Sequence, residues 1–345
     1  MKLIYVLFSL ALALALIVVA WPPKVDGDRG TSSQEFSNVQ ASGAPPLDPL
    51  DNDVPTASTD ANLPDGVTSA PAQEETIAEP ERVVAAAQHS GILANRRLVT
   101  YYGNPFDGRM GILGELDQPT LIARLRRAAA LYEAAGSARP MQPALHLIVT
   151  VAQEDAGRDG MYRLRMPESM IEEYSHLAAA NDMLLILDVQ VGRSTVQAEL
   201  EPLRPYLERP HVHLALDPEF DMWADQQPGI ELGHMTAEEI NYASALLAGI
   251  VASKGLPDKV LIVHQFTDRM LPDKQLIQTR PGVELAVVMD GFGGRGIKLK
   301  HYEWYVKDEL IQYAGIKMFF RQDIDMFAPE EILALDPVPD VIVYQ

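Results

Sequence analysis

The stretch that decides the fold is Leu214-Ala215-Leu216-Asp217-Pro218-Glu219-Phe220. It begins as an apolar run short enough to be a buried strand, and it ends in two carboxylates that flank a proline. Because proline has no N–H to donate to a strand ladder, regular pairing should stop at Pro218. Asp217 and Glu219 are therefore predicted to lie at the mouth of the sheet to which this strand belongs.

Similar apolar runs recur between residues 97 and 345, and amphipathic stretches separate most of them. Helices are predicted to begin near Asp117, Pro167, Val196 and Thr236, the last of these with a capping box to Glu239. Val, Ile and Leu dominate the runs, which is typical of a parallel sheet buried on both faces. The predicted strands cover residues 97–102, 144–151, 183–188, 211–216, 259–263, 283–289, 316–320 and 340–344.

Eight such strands favour a closed (β/α)8 TIM-like barrel over an open doubly wound sheet. The sequence ends at Gln345, directly after the eighth predicted strand, so we expect a barrel that lacks its final helix. A short helix predicted at residues 79–89 is a candidate to cover that gap. The barrel domain is assigned to residues 91–345.

The composition of residues 1–90 predicts a membrane segment followed by a disordered linker. Residues 1–21 contain the uncharged apolar run Leu3–Trp21 behind Lys2, which suits either a signal peptide or an N-terminal membrane anchor. Residues 22–90 are rich in Pro, Asp and Ser and poor in large apolar side chains, so they predict a disordered linker. Both interpretations of residues 1–21 place the rest of the chain outside the cytoplasm, either anchored at the cell surface or secreted.

Charge and cysteine content exclude several classes of function. The formal net charge of −20 argues against nucleic acid as a partner and against anionic lipid surfaces, so a membrane is expected only through the N-terminal segment. The chain has no cysteine, which excludes thiol nucleophiles, disulfides and cysteine-ligated zinc. An exported protein without disulfides is more typical of a bacterium than of a eukaryotic secretory route.

The ends of the predicted strands carry a ring of polar residues, where a barrel places its functional groups. The alternative interpretation is that these residues are ordinary caps and salt bridges at strand ends. Four acids sit at strand ends next to buried residues, however, and a charge in that position requires a partner or a function. The ring comprises Tyr101, Tyr102, Asn104, Gln153, Glu154, Asp188, Gln190, Asp217, Glu219, His264, Gln265, Asp290, Arg321, Gln322, Asp323, Tyr344 and Gln345.

A ring of carboxylates with Tyr, Gln and Arg neighbours suits glycoside hydrolysis, in which one carboxyl protonates the leaving oxygen and another attacks or activates water. Glu219 is predicted to be the general acid, because Phe220 would desolvate it and Asp217 would repel its charge. Asp290 or Asp323 is the predicted nucleophile or base. The remaining predicted site residues would bind a carbohydrate or other small polar ligand: Tyr101, Tyr102, Asn104, Asp188, Gln190, His264, Gln265, Arg321, Gln322 and Tyr344. The aromatic candidates for stacking on sugar rings are Trp223, Phe266, Phe292 and Trp304.

Three segments carry a resemblance to known proteins: 214–220, 261–267 (LIVHQFT) and 287–293 (VVMDGFG). They resemble an uncharacterised family of exported bacterial proteins, over roughly residues 96–345. The arrangement is also similar to glycoside-hydrolase-like barrels, which carry an acid after the fourth strand. The chain departs from that pattern: it lacks the Asn-Glu pair of the largest glycosidase clan, and its seventh predicted strand is followed by Asp323 in place of Glu. The resemblance implies a fold but no particular activity.

Other patterns predict different functions. Asp188, Asp217 and His264 are the residues that a metal-dependent hydrolase would use, and a non-catalytic carbohydrate-binding or cell-envelope scaffold protein is a further alternative. The motif Gly291-Phe-Gly293-Gly294-Arg-Gly296 matches a dinucleotide fingerprint, but it follows the sixth strand and a carboxylate, so a loop over the site is favoured. His211 and His213 lie at the start of a strand, which is the end of a barrel associated with stability. No cofactor and no bound metal are predicted.

Overall fold

The computed structural model describes residues 91–345, and its central feature is a closed barrel of eight parallel strands. Each barrel strand pairs with the next along the chain, and the last, Val341–Tyr344, returns to pair with the first, Arg97–Gly103, so the barrel is closed. A short antiparallel strand, Arg163–Arg165, which was not predicted, pairs with the end of Met141–Ala152 outside the barrel. The strands are β1 (Arg97–Gly103), β2 (Met141–Ala152), β3 (Arg163–Arg165), β4 (Leu184–Val189), β5 (Val212–Leu216), β6 (Lys259–Gln265), β7 (Val283–Met289), β8 (Tyr313–Met318) and β9 (Val341–Tyr344). The predicted barrel and all eight of its strands are confirmed.

Helices lie in most of the connections between barrel strands, as is typical of a TIM barrel. The helix predicted over residues 196–207 is wrong in one respect: it breaks into two short helices joined by the 3₁₀ turn Glu201–Leu203, because Pro202 and Pro205 cannot donate helical hydrogen bonds. The connection from β6 to β7 contains only 3₁₀ turns. The helices are α1 (Ile92–Asn95), α2 (Gln118–Ala134), α3 (Glu168–Ala180), α4 (Val196–Leu200), α5 (Arg204–Leu207), α6 (Ala237–Lys254), α7 (Arg295–Tyr302, continued by the π-helical turn Glu303–Lys307) and α8 (Pro329–Leu333).

The local signals that predicted the long helices have the expected structural effect. The side chain of Asp117 accepts a hydrogen bond from the N–H of Thr120 at 2.9 Å and so caps α2. Thr236 and Glu239 form the predicted capping box at the start of α6, and α6 ends at Gly255 in the left-handed conformation, with φ 64°.

The N-terminal end of the barrel is closed by α1. Leu93 is fully buried there, and the carboxylate of Glu284 on β7 accepts hydrogen bonds from the N–H groups of Leu93 and Ala94 at 2.9 and 3.0 Å. His213 lies near the same end, where its Nδ1 accepts from the N–H of Val260 at 3.0 Å, which is a structural contact. Glu284 and His213 therefore make structural contacts, and the candidate functional residues lie at the opposite end of the barrel.

The predicted membrane segment, linker and helix at 79–89 all lie outside the described residues. None of the helices within residues 91–345 is long and apolar enough to span a membrane.

Candidate active site

A cavity of about 710 Å³ opens at the C-terminal ends of the barrel strands. This is the volume range of pockets that enclose small ligands, and the end of the barrel at which TIM-barrel active sites lie. The cavity is lined in part by seven of the predicted site residues, namely Tyr102, Gln190, Asp217, Glu219, Asp290, Arg321 and Gln322. The structure therefore brings together Tyr102, near the end of β1, and residues that follow β4, β5, β7 and β8.

Beneath the cavity floor lies a buried network centred on Asp188. The Nε2 atoms of His146 and His264 both donate to the same oxygen, Asp188 Oδ2, at 2.9 and 3.0 Å. Burial would raise the pKa of Asp188, but these two hydrogen bonds and the His264 charge lower it, so the carboxylate is ionised. Burial lowers the pKa of His146 to about 4, which leaves that imidazole neutral.

His264 connects this network to the cavity by bridging two carboxylates. Its Nδ1 lies 3.0 Å from Asp290 Oδ2, while its Nε2 donates to Asp188. Burial alone would lower the pKa of His264, but Asp290 and Asp188 outweigh it and raise the pKa to about 10. His264 is thus an imidazolium at neutral pH, because both of its nitrogens face negative charge.

Asp290 is held in its ionised form by two cations. Lys317 Nζ lies 3.0 Å from Asp290 Oδ2, the oxygen that His264 also contacts. Burial would raise the pKa of Asp290, but the Lys317 and His264 charges lower it below its ordinary value. Asp290 therefore presents a carboxylate to the cavity at neutral pH.

Glu219 and Asp217 have the opposite electrostatic environment. They flank Pro218 on the 3₁₀ turn that follows β5, and the carbonyl of Glu219 accepts from the N–H of Gly233 at 2.8 Å, which fixes the turn. Burial raises the pKa of Asp217 to about 7 despite the nearby His264 charge. Burial, followed by repulsion from Asp217 and Asp290, raises the pKa of Glu219 well above its ordinary value. Glu219 is therefore a carboxylic acid that retains its proton near neutral pH, the direction that the sequence predicts.

Lys317 differs from the other buried lysines of the described residues. Lys259, Lys274 and Lys298 each donate to backbone carbonyls, which satisfies an ammonium in a structural role. Lys317 instead lines the cavity, pairs with Asp290, and lies 3.8 Å from the centre of the Tyr102 ring. It is part of the site's charge pattern.

Several predicted ligand-binding residues lie away from the cavity. Tyr101 and Tyr344 are buried on the outer face of the barrel, where Tyr344 Oη is 2.7 Å from Tyr132 Oη on α2. Side chains alternate along a strand, so Tyr102 faces the interior while Tyr101 faces the helices. Asn104 and Gln265 are engaged structurally: Asn104 donates to the carbonyl of Ile148 at 3.0 Å, and Gln265 accepts from Lys274 at 2.8 Å.

Asp323, one of the two candidates for nucleophile or base, also does not line the cavity. Its carboxylate accepts from the N–H groups of Gly293 and Phe319 at 3.0 and 2.9 Å, and it pairs with the buried Lys298 at 3.0 Å. This placement corrects the sequence-based role, because Asp323 holds two loops together. The same contact engages the Gly293 amide, which a bound pyrophosphate would require.

The aromatic candidates for stacking divide in the same way. Phe266 and Phe292 line the cavity. Trp223 is 64% exposed and packs edge-on against His234 at 4.2 Å, and Trp304 packs near His301 at 5.9 Å. Neither tryptophan lines the cavity.

Two residues of the site, the neutral His146 and the cation Lys317, were not identified from the sequence. Both lie inside predicted strands between apolar neighbours, and not at the strand ends where a barrel is expected to carry its functional residues. A lysine inside a buried strand requires a partner, and that requirement is the signal that would have found Lys317.

His146, Asp188 and His264 are also the described residues whose ligand atoms lie close enough together, within 4.8 Å, to hold a metal ion. The metal set predicted from sequence contained Asp217 in place of His146. Tetrahedral zinc with bonds of about 2.0–2.1 Å would set its ligand atoms about 3.3 Å apart. The two nitrogens lie 2.9 and 3.0 Å from the Asp188 oxygen, which are hydrogen-bond spacings.

Comparisons with known proteins leave the function open. No protein-family model matches the chain, and no curated protein matches it. Among solved structures, the chain is similar to a hyperthermophilic endo-β-1,4-glucanase in complex with its substrate, at 8% sequence identity and a TM-score of 0.36. That match covers 74% of this chain and 90% of the glucanase chain. The TIM barrel itself is established by the strand pairing, and the site must be interpreted from its own geometry.

Proposed function

We propose that the barrel domain is a glycoside hydrolase, with Glu219 as general acid and Asp290 as nucleophile or general base. One observation carries the proposal: two carboxyl groups line one cavity at the barrel mouth, and their environments shift their pKa values in opposite directions. Such a divided pair is what glycoside hydrolysis requires. Export and attachment at the cell surface through residues 1–21 are part of the same proposal.

Glu219 supplies the proton to the leaving oxygen. Its raised pKa keeps it protonated, and its turn beyond β5 places it at the cavity wall. Asp217 is buried beside it, and burial raises the pKa of Asp217 to about 7. At neutral pH the two carboxyl groups therefore carry fewer than two negative charges between them. Proton donation from a positioned acid is worth about 10²–10⁴ in rate.

Asp290 acts on the anomeric carbon, either directly or through a water molecule. Lys317 and His264 keep it ionised, and Asp188 in turn keeps His264 charged. Tyr102 has a pKa raised well above its ordinary value by burial and by the carboxylates Asp188 and Asp217. It therefore remains a hydroxyl and is available as a hydrogen-bond donor at the floor. Gln190, 3.5 Å from Tyr102 Oη, lies beside it.

The scaffold alternative is less well supported by this arrangement. A scaffold would hold its acids in ion pairs with arginine, as Arg321 and Glu115 are paired at 2.9 Å at the rim. Within residues 91–345, neither Asp217 nor Glu219 forms such a pair, and their protons are kept by burial.

The test is a hydrolysis screen of aryl glycosides and oligosaccharides with the full chain, the variants Glu219→Gln and Asp290→Asn, and Glu154→Gln as a matched control. Glu154 is an exposed carboxylate that does not line the cavity. We expect Glu219→Gln to lose activity on substrates with poor leaving groups and to retain the release of dinitrophenol from dinitrophenyl glycosides in the first turnover, because dinitrophenolate leaves without protonation. Asp290→Asn should lose activity on both. Full activity of Glu219→Gln on all substrates would exclude Glu219 as the acid, and absence of hydrolysis by the unaltered chain across the screen would count against the proposal.

A further inference from the structure

One side of the cavity mouth is an apolar surface that the reaction does not explain. It consists of Phe292, Ile297, Phe319 and Ile324, all of which line the cavity, and it is named here the apolar lip. Ile324 is 71% exposed, Phe292 and Ile297 are partly exposed, and the rings of Phe292 and Phe319 pack edge to face at 5.7 Å. Phe319 is 4% exposed and supports the Phe292 ring from below, so Phe292, Ile297 and Ile324 form the accessible part of the lip. Accessible apolar side chains grouped at the mouth of a pocket indicate a ligand surface.

The apolar lip is held in place by backbone contacts. The N–H of Ile324 donates to the carbonyl of Gly293 at 3.1 Å, and the N–H of Gly293 donates to Asp323 at 3.0 Å. The loops after β7 and β8 are thereby joined side by side. Gly293 has φ 130°, and a Cβ there would come 3.3 Å from Ile297, so the tight loop requires glycine. The fold thus holds Ile297 and Ile324 at the cavity mouth, although exposure of their apolar side chains to water is unfavourable.

The position of the apolar lip relative to the acids identifies what it would bind. Glu219 and Asp290 lie at the ends of β5 and β7, so the reacting sugar must enter as far as the cavity floor. The group bonded to its anomeric oxygen then points out through the mouth. The side chains that meet this group at the mouth include the apolar Phe292, Ile297 and Ile324, and the guanidinium of the neighbouring Arg321 is paired with Glu115 at 2.9 Å.

We propose that the apolar lip is a leaving-group subsite for an apolar aglycone, an alkyl or aryl group attached to a single sugar. This inference rests on the proposed glycoside hydrolysis and names its substrate class. The products of that hydrolysis are a free sugar and an alcohol or phenol, with water supplying the hydroxyl of the sugar and Glu219 protonating the departing oxygen. The substrate is amphipathic, in keeping with a charged floor and an apolar rim.

The test is isothermal titration of the full chain with methyl, octyl and phenyl glycosides of the same sugar, over several sugars and below the micelle concentration of the octyl compounds. We expect octyl or phenyl glycosides to bind at least about ten-fold more tightly than methyl glycosides, because about two buried methylene groups suffice for that factor. Preference for octyl over phenyl would identify a lipid-like aglycone, and the reverse a phenolic one. Ile324→Ser and Ile297→Ser should reduce the preference several-fold without changing the affinity for methyl glycosides. Leu276→Ser, which removes a 59% exposed leucine that does not line the cavity, is the matched control and should change nothing.

The outcomes separate this inference from the proposed function. Equal affinity for methyl, octyl and phenyl glycosides that are all hydrolysed would overturn the subsite and leave the glycosidase standing. Octyl or phenyl binding that depends on Ile324, with no hydrolysis of any glycoside, would support the apolar subsite and reject the glycosidase. An equal loss of octyl binding in Leu276→Ser would show adsorption to exposed surface and would overturn the subsite.

Discussion

The charge on His264 should make an unusually large, pH-dependent contribution to stability. The pKa of this buried imidazole rises from an ordinary value of 6.5 to about 10 in the folded chain. At about 1.4 kcal/mol for each pH unit, the rise corresponds to roughly 5 kcal/mol of folding free energy. Because the folded pKa is the higher one, the folded chain binds the proton more tightly than the unfolded chain does. The stabilisation is therefore fully present below pH 6.5 and is lost as the pH rises through 10.

The perturbation that isolates this contribution is His264→Gln, which removes the titrating charge but keeps a hydrogen-bond donor near Asp188 and Asp290. Other groups change stability over the same range: burial lowers the pKa of Lys259 to about 8, which acts in the opposite direction above that pH. The Lys259 contribution comes from burial alone, so it is common to both proteins and cancels in the difference. We expect unaltered protein to be more stable than His264→Gln by roughly 5 kcal/mol at pH 6, with the advantage falling by about 1.4 kcal/mol per pH unit between pH 7 and 9.5.

The assay is urea denaturation of both proteins at half-unit steps from pH 6 to pH 10.5, with unfolding free energies compared at each pH. A His176→Gln variant is the control, since it makes the same substitution at an exposed histidine on α3. If the difference between unaltered protein and His264→Gln is flat from pH 7 to pH 9.5, the bridging imidazolium is refuted, and with it the account of how Asp290 is kept ionised.

Four further outcomes follow from the same geometry. Glu219→Gln should leave the melting temperature unchanged or raised, because the amide resembles the neutral acid that it replaces, and calorimetry on both proteins checks this. Lys317→Met should raise the pKa of Asp290, seen as an acid limb of the pH–rate profile moved to higher pH, and an unmoved limb would remove Lys317 from its assigned role. Asp323→Asn should destabilise the chain by about 1–3 kcal/mol, since it leaves Lys298 buried with less compensation, while kcat on the surviving folded protein stays within a few-fold. Chelation followed by added zinc should leave both activity and melting temperature unaltered, whereas restoration of lost activity by zinc would support the metal-dependent alternative.

The barrel could be predicted from the sequence because each strand is a short apolar run bounded by turn-forming residues. Parallel strands that are buried on both faces carry this signal directly, and pairing order then follows from chain order. The prediction of one continuous helix over residues 196–207 was wrong for a local reason, because the segment contains two prolines. β3 is only three residues long and partly exposed, so its sequence carries no strand pattern.

The candidate site could be predicted only in part, because strand ends are visible in a sequence and side-chain direction is not. Tyr101 and Tyr102 are adjacent, yet only Tyr102 faces the cavity, since one residue of register decides the face. Asp290 directly follows β7, whereas β8 ends at Met318 and Asp323 lies farther along the loop, which turns it toward Lys298. Lys317 was missed because it lies within a strand, and its effect depends on a partner from the neighbouring strand β7.

The floor of the cavity can be understood as one charge-balanced unit. Asp188 and Asp290 are negative, and His264 and Lys317 are positive, so these four residues are neutral together. A further negative charge on Glu219 has no cation left to balance it, and repulsion from Asp290 accordingly contributes to the raised pKa of Glu219. The proton on Glu219 and the charge on Asp290 are thus linked. If Asp290 loses its charge by bonding to a sugar, part of the repulsion that keeps Glu219 protonated disappears, so the pKa of Glu219 falls and its carboxylate form becomes available as the base for the water that must follow. Burial and Asp217 make the larger contributions to the raised pKa of Glu219, and the charge kept on Asp290 adds the contribution that changes during the reaction and so helps Glu219 to act first as acid and then as base.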